Sequence, residues 1–457
     1  MMTPSYSRKH VLVLGLGDSG LSAVRWLCAQ GARVRVADTR QHPPGLDTLR
    51  AKYPQVEFVA GAFADTLFVG ADLVVASPGV PLADPVIRRA RAGGLEIIGD
   101  VELFARALPG DARVIAITGS NGKTTTTTLV GEMVRAAGHP VCVAGNIGLP
   151  VLDALCEIDA GVRQAPAYWV LELSSFQLEG LTRLRSLAAS VLNVSEDHLD
   201  RYPGMPAYAD AKARIFSGSR VAVLNRDDDC VAAMAGDVAD RRYFTLREPQ
   251  SDHDYCLHDG WLMLGNQRLI EQSALRLAGT HNVANALAAL ALCEAAGLPR
   301  SACLAALQAF KGLPHRVEFV AEHAGVRYYD DSKGTNVGAT LAALAGLGRP
   351  VVVILGGEGK GQDFRPLAPV LAQHGRAAVL IGRDAPLIRD ALAVCPLPLR
   401  EASDMRDAVR QAAGFAQPGD AVLLSPACAS FDMFRNYAHR AEVFVAEVAA
   451  FTGGRAA

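Results

Sequence analysis

Residues 114–125 read VIAITGSNGKTT. Val114 to Ile117 is an apolar, β-branched run without alternation, which suits a strand buried on both faces. A glycine turn follows, and the stretch from Thr125 to Ala137 predicts a helix. A strand, a glycine loop ending Gly122-Lys123-Thr124, and a helix together form a phosphate-binding arrangement. Backbone N–H groups cradle phosphates, the Lys123 ammonium reaches the terminal ones, and the Thr124 hydroxyl is placed to ligate Mg²⁺. The longer form of this loop needs glycine at position 117, where Ile117 stands, so this is a short form.

The same rhythm extends in both directions. Val11–Leu14, Arg33–Val36, Leu73–Ala76, Trp169–Glu172, Val191–Asn193, Val351–Leu355, Val379–Ile381 and Val422–Ser425 read as buried strands between Ala/Leu-rich helical stretches. The fold class is therefore α/β with parallel sheets. At roughly 150 residues per domain, 457 residues suggest three domains, drawn at 1–100, 101–312 and 313–457. Each is expected to be a parallel α/β unit. A polar stretch from Tyr255 to Ile270 reads as a hairpin inside the second.

The first segment carries its own motif, Gly15-Leu-Gly17-Asp-Ser-Gly20, directly after a strand, with Asp38 closing the next one. This is the dinucleotide fingerprint of a Rossmann-like unit, whose glycines let a diphosphate approach a helix N-terminus. In the second segment Glu172 ends a strand, where a phosphate-loop domain holds Mg²⁺. The run Asn-Val-Ser-Glu-Asp197-His198-Leu-Asp200 follows the next strand, and His198 is a candidate ligand beside it.

Lys and Arg total 45 against 47 Asp and Glu, a formal charge of −2, which argues against a protein built to coat nucleic acid or an anionic membrane. The nine cysteines are scattered without a CxxC pair, so reduced thiols in a cytoplasm are the simple reading. The N-terminal apolar run is broken by glycines and an aspartate, so no signal peptide is expected. No window approaches a membrane span.

The segments TGSNGKTT, ELSSFQLE, NVSEDHLDRYP, HNVANALAA, GLPHRVE, DDSKGTN, LGGEGKGQDF and LSPACASFDMF occur in this order. The chain resembles the Mur ligase family from Val11 to about Tyr437. GLGDSG, Asp38–Arg40, Ser77–Val80 and SPACASFDMF resemble its D-glutamate-adding branch. The resemblance implies ATP-dependent amide formation between D-glutamate and UDP-N-acetylmuramoyl-L-alanine, a step of peptidoglycan precursor synthesis, in a cytoplasmic monomer.

It also implies roles for particular residues. Gly119, Ser120, Asn121, Gly122, Lys123, Thr124 and Thr125 would hold the ATP phosphates, and Asn282, Asn285, Arg316 and Asp331 the adenosine. Two Mg²⁺ ions would lie on Thr124 and Glu172, and on His198 with a carbamylated Lys212. The UDP-linked substrate would fall on Ser19, Asp38, Thr39, Arg40 and Ser77, with Asn146 at its muramoyl end. D-Glutamate would fall on Thr335, Lys360, Ser430 and Phe431, with Lys333 nearby. Lys123, Glu172, His198 and Lys212 carry the catalytic roles.

Three positions depart from the family pattern. Asp18 in the first glycine turn would point to solvent, Glu358 stands for a common aspartate, and Gly334 for a frequent alanine, loosening its loop. Alternatives are another Mur ligase or a folylpolyglutamate synthase. Of other classes, an NAD-dependent oxidoreductase would rest on the first fingerprint alone, and a nucleotide-regulated scaffold would be expected to lack Glu172 or Lys123.

Overall fold

The computed structural model describes residues 6–197, 201–277 and 279–453. Three sheets follow one another along the chain. The first contains β1 (His10–Leu14), β2 (Arg33–Asp38), β3 (Glu57–Ala60), β4 (Leu73–Ala76) and β5 (Ile97–Gly99). All are parallel, in the order β3-β2-β1-β4-β5. The chain order reverses at β1, which places the crevice for a ligand at the carboxyl end of that strand, where the glycine turn lies.

The second sheet holds β6 (Val114–Thr118), β7 (Val141–Gly145), β8 (Tyr168–Glu172), β9 (Ser186–Val191), β10 (Ser219–Asn225), β11 (Asp240–Thr245), β12 (Asp254–His258), β13 (Trp261–Leu264) and β14 (Gln267–Glu271). Their order is β14-β13-β12-β11-β10-β9-β6-β8-β7. The polar stretch read as a hairpin is the antiparallel run β12-β13-β14 at one edge. β6 lies between β8 and β9, a second switch point, and the phosphate loop leaves its carboxyl end.

Two sequence-derived bounds are corrected here. The strand expected at Val191–Asn193 is Ser186–Val191, because Asn193 leaves the ladder to hold the phosphate loop: its carbonyl accepts the Ser120 N–H and its side-chain oxygen the Asn121 N–H. The helix expected from Thr125 begins at Lys123, since Gly122 takes a left-handed turn (φ +82°) and caps it.

The third sheet holds β15 (Glu318–His323), β16 (Val326–Asp330), β17 (Val351–Gly356), β18 (Gly375–Ile381), β19 (Leu399–Glu401) and β20 (Ala421–Leu424), in the order β15-β16-β20-β17-β18-β19. Only β15 and β16 pair antiparallel. Val352, Val353, Ile354, Leu423 and Leu424 are fully buried on the central strands, as helices on both faces require.

The helix Asp100–Ala107 couples the first sheet to the second. Its Glu102 is fully buried and accepts from the Thr182 and Arg183 N–H groups, the Thr182 hydroxyl and Arg106. A buried carboxylate satisfied on both oxygens is rigidly specified. Among the described residues no helix is long and apolar enough to cross a membrane.

Candidate active site

Two cavities open at the carboxyl ends of the parallel strands. The first, of about 520 Å³, is lined by Ser19, Asp38, Thr39, Arg40, Ser77 and Asn146, all six residues expected to meet the UDP-linked substrate. The Ser77 hydroxyl donates to the Gly15 carbonyl and so fixes the glycine turn. Asp38 is buried, and its oxygens accept from the Leu16 and Arg40 N–H groups and from the Arg40 guanidinium. Burial pushes its pKa up, but these partners win and hold it at about 2. Asp38 thus organises the turn and aims Arg40. Asp18 is exposed at the cavity wall. Gln177, within ELSSFQLE, Gly79, within Ser77–Val80, and Phe63 also line this cavity, and the sequence assigns none of them a site role. For Gln177 the signal was Ser174, three residues earlier, with which it forms a capping box.

The second cavity, of about 350 Å³, lies between the second and third sheets. Asn121, Gly122 and Thr125 line it from the phosphate loop, Asn282 and Asn285 from the helix Thr280–Ala295, and Arg316, Asp331 and Lys333 from the third segment. A Cβ on Gly122 would come within 2.2 Å of Asn285 Oδ1, so only glycine allows both the turn and this contact. Burial pushes the Asp331 carboxyl up to about 7, against a 2.6 Å hydrogen bond from Ser425 and the nearby Arg316. Burial, then Arg316, bring Lys333 down to about 8. Burial also lowers Arg316.

The phosphate loop is pre-shaped. Lys123 Nζ folds back onto the Gly119 and Ser120 carbonyls at 2.8 Å each. The Ser120 hydroxyl donates to the Ser195 carbonyl and lies 3.2 Å from the Tyr208 hydroxyl. Lys212 Nζ, on the helix Met205–Ala213, donates to the same Gly119 carbonyl at 2.9 Å and sits 4.4 Å over the Tyr208 ring. It is 1 % exposed. Burial first, and Lys123 second, lower its pKa well below the usual lysine value. The loop thus brings two ammonium groups onto one carbonyl.

Glu172 ends β8 and is buried. Its Oε1 accepts from Asn146 Nδ2 at 2.9 Å, while Oε2 is buried without a partner among the described residues. A buried, unsatisfied carboxylate oxygen costs on the order of 1–3 kcal/mol, so an absent cation fits this position. Asn146 therefore has two contacts: it lines the first cavity and orients Glu172. Thr124 lies in the first turn of the loop's helix. His198 and Asp200 lie outside the described residues.

The residues expected to meet D-glutamate are less gathered. Lys333 lines the second cavity, whereas Thr335, Lys360, Ser430 and Phe431 line neither. Lys360 and Phe431 are exposed, Phe431 by 70 %, and Ser430 is buried. Their loops are joined where Glu358 and Ala429 exchange backbone hydrogen bonds. The Glu358 side chain lies 3.4 Å from Arg383. The expectation that Gly334 loosens its loop is corrected: Gly334 is buried, and its carbonyl accepts from Ala427.

Three family models match in chain order: the Mur ligase MurD-like N-terminal domain at residues 9–99, the Mur ligase middle domain at 117–293, and the Mur ligase glutamate ligase domain at 315–428. A protein of Thiobacillus denitrificans named UDP-N-acetylmuramoylalanine–D-glutamate ligase is 57 % identical, covering 98 % of both chains. The chain belongs to the Mur ligase family. A Methylobacillus flagellatus protein of the same name is 54 % identical over 96 % of both chains. Among solved structures, MurF of Acinetobacter baumannii aligns with a TM-score of 0.58 at 20 % identity, over 93 % of this chain and 89 % of its own. UDP-N-acetylmuramate–alanine ligase of Thermotoga maritima aligns with a TM-score of 0.57 at 19 % identity, over 97 % and 99 %. These two show a shared Mur ligase fold. The expected family and α/β architecture are borne out, and the order of the motifs made them legible.

Proposed function

We propose that the protein joins D-glutamate to UDP-N-acetylmuramoyl-L-alanine, with ATP converted to ADP and phosphate. The observation that carries this reading is the full-length identity, above 50 %, with ligases bearing that name. It leaves the NAD-dependent oxidoreductase, scaffold and folylpolyglutamate synthase readings without support. The first cavity would take the UDP-linked substrate and the second ATP. Asn146, which lines the first cavity and donates to Glu172, would help bring the substrate carboxylate toward the γ-phosphate.

A carboxylate is a poor electrophile. Its oxygen first attacks the γ-phosphorus, and the bond to ADP breaks. The amine of D-glutamate then attacks the acyl carbon, the C–O bond to phosphate breaks, and the amine loses a proton. The protein's work is positioning and charge compensation. Lys123 would release its loop carbonyls to meet the phosphoryl oxygens, with loop N–H groups beside it. Thr335, Lys360, Ser430 and the backbone at Phe431, with Lys333, would orient the two carboxylates of D-glutamate through charge-assisted hydrogen bonds.

Two Mg²⁺ ions fit the donor set: Thr124 and the unpartnered Glu172 oxygen for one, His198 and Lys212 for the other. When bound, they supply positive charge against the transferring phosphoryl group. Lys212 would serve as a carbamate. Its depressed pKa favours the neutral amine, which adds to CO₂ with loss of a proton. We place the reaction in the cytoplasm, on a monomer, with small molecules as its only substrates.

The decisive experiment measures ADP release with UDP-N-acetylmuramoyl-L-alanine against a panel of amino acids. D-Glutamate should support turnover, and L-glutamate, L-alanine and meso-diaminopimelate should not. Equal turnover with L-glutamate would move the protein to another branch.

A further inference from the structure

Arg316 reaches the second cavity from a backbone that no glycine eases. His315 (φ +63°) and Val317 (φ +50°) flank it, both left-handed and one β-branched. Such conformations are costly and persist only where the surroundings over-determine them. His315 supplies most of that determination. Its ring Nδ1–H donates to Asp330 Oδ2 at 2.6 Å, its N–H donates to Glu318 Oε2 at 2.8 Å, and its carbonyl accepts from the Lys333 N–H at 3.2 Å.

Asp330 is the unexpected member. It is fully buried at the end of β16 and lines neither cavity. Its other oxygen accepts from the Ser332 N–H at 2.9 Å. Burying a carboxylate there is expensive unless it is well paired, and its one side-chain hydrogen-bond partner among the described residues is the half-buried His315. Its neighbour Asp331 turns to Ser425 and the second cavity. One dipeptide thus aims a carboxylate into the cavity and sends the other to the residue preceding Arg316.

We propose that Asp330 is a positioning residue for ATP. It holds the His315 ring, the ring holds the left-handed turn, and the turn keeps the Arg316 guanidinium in the nucleotide cavity. The inference rests on the second cavity being the ATP site. It is distinct from the Arg316 role implied by family resemblance, because neither Asp330 nor His315 is placed against substrate.

The test compares KM for ATP in Arg316→Ala, His315→Ala, Asp330→Ala, the double variant H315A/D330A, and Asp330→Asn. Calorimetric binding of UDP-N-acetylmuramoyl-L-alanine, whose cavity is lined by neither His315 nor Arg316 nor Asp330, reports correct folding. If the tether acts as proposed, His315→Ala and Asp330→Ala each raise KM for ATP about tenfold, while kcat stays within about threefold. The double variant is no worse than either single one, as expected for residues acting in series. Asp330→Asn keeps an acceptor for the ring N–H and stays close to wild type. His315 is half-exposed, so His315→Ala carries the test if Asp330→Ala is too unstable to purify. An unchanged KM for ATP in His315→Ala and Asp330→Ala, beside a raised one in Arg316→Ala, overturns the tether alone. Additive effects in the double variant also overturn it. An unchanged KM in Arg316→Ala removes the ATP reading of the cavity itself.

Discussion

Asn121 and Asn336 exchange two hydrogen bonds across the gap between the second and third sheets. Asn336 Nδ2 donates to Asn121 Oδ1 at 3.0 Å, and Asn121 Nδ2 donates to Asn336 Oδ1 at 3.3 Å. The same Asn336 oxygen accepts the Ala339 N–H at 2.8 Å and caps the helix Val337–Gly346. One amide therefore ends a helix of the third segment and grips the phosphate loop of the second. Family resemblance brings these segments together around ATP, and this pair is a specific contact by which they meet.

The two roles separate by substitution. Asn336→Ala loses cap and pair, and should cost about 1 kcal/mol of stability through the cap. Asn336→Asp keeps the cap oxygen, loses the donor to Asn121, and adds negative charge beside the phosphate loop. Thermal melts should place Asn336→Asp near wild type and Asn336→Ala below it, while both raise KM for ATP. A wild-type KM in Asn336→Asp would remove the coupling role.

Lys212 offers a case where stability and activity should part. A buried ammonium whose pKa is lowered by burial is a cost to the fold, and an apolar side chain of similar length often replaces such a charge without loss. Lys212→Met should therefore melt at or above the wild-type temperature and show no ligation. If Lys212 acts as the proposed carbamate, a short carboxylic acid should restore part of the activity of Lys212→Ala by standing in for it. Active Lys212→Met would remove the catalytic assignment.

Asp331 predicts a pH dependence with a definite sign. Its carboxyl is raised from 3.8 to about 7 in the folded protein. Between those values the native state holds a proton that the unfolded chain has lost. Stability from this group is therefore full below pH 4 and is lost as pH rises toward 7, with a slope of at most about 1.4 kcal/mol per pH unit. Urea melts at pH 5, 6 and 7 without nucleotide should show this loss in wild type relative to Asp331→Asn. A difference independent of pH would mean that Asp331 is ionised throughout.

What the sequence disclosed and what it withheld divide along chain distance. The loop at Gly119–Thr125, the fingerprint at Gly15–Gly20 and the antiparallel run after Tyr255 are local patterns, legible because each residue's role depends on its neighbours in the chain. Asn193 reads as strand from its neighbours, yet the ladder ends before it for a reason 72 positions away, at Asn121. Asp330 and His315 lie in the separate segments DDSKGTN and GLPHRVE, 15 positions apart, and nothing in either segment shows that the two meet. The link between Asn146 and Glu172 appears only once β7 and β8 are paired. Thr335, Lys360, Ser430 and Phe431 stand in DDSKGTN, LGGEGKGQDF and LSPACASFDMF, and only the family resemblance of those segments gives them a role.

Gly334 turns one such long-range effect into a test. A Cβ built there would stand 2.5 Å from Asp331 Oδ2, 2.8 Å from Ser425 Oγ and 3.0 Å from the Asp331 carbonyl oxygen. The backbone oxygen has little room to move, so the side chains must give. The Ser425 hydroxyl has a second partner, Thr340 Oγ1 at 3.0 Å, and can turn away toward it. Asp331 would then lose its 2.6 Å hydrogen bond and its place at the cavity. Gly334→Ala should lower stability by about 1–3 kcal/mol, as small-to-large changes in close-packed sites do, and should raise KM for ATP. Ser425→Ala clears the hydroxyl from the crowded spot, so the double variant G334A/S425A should be less destabilised than the sum of the two single changes. Urea melts and ATP kinetics on the three variants decide it. If Gly334→Ala is as stable as wild type with an unchanged KM, the Asp331–Ser425 contact is not what the glycine protects.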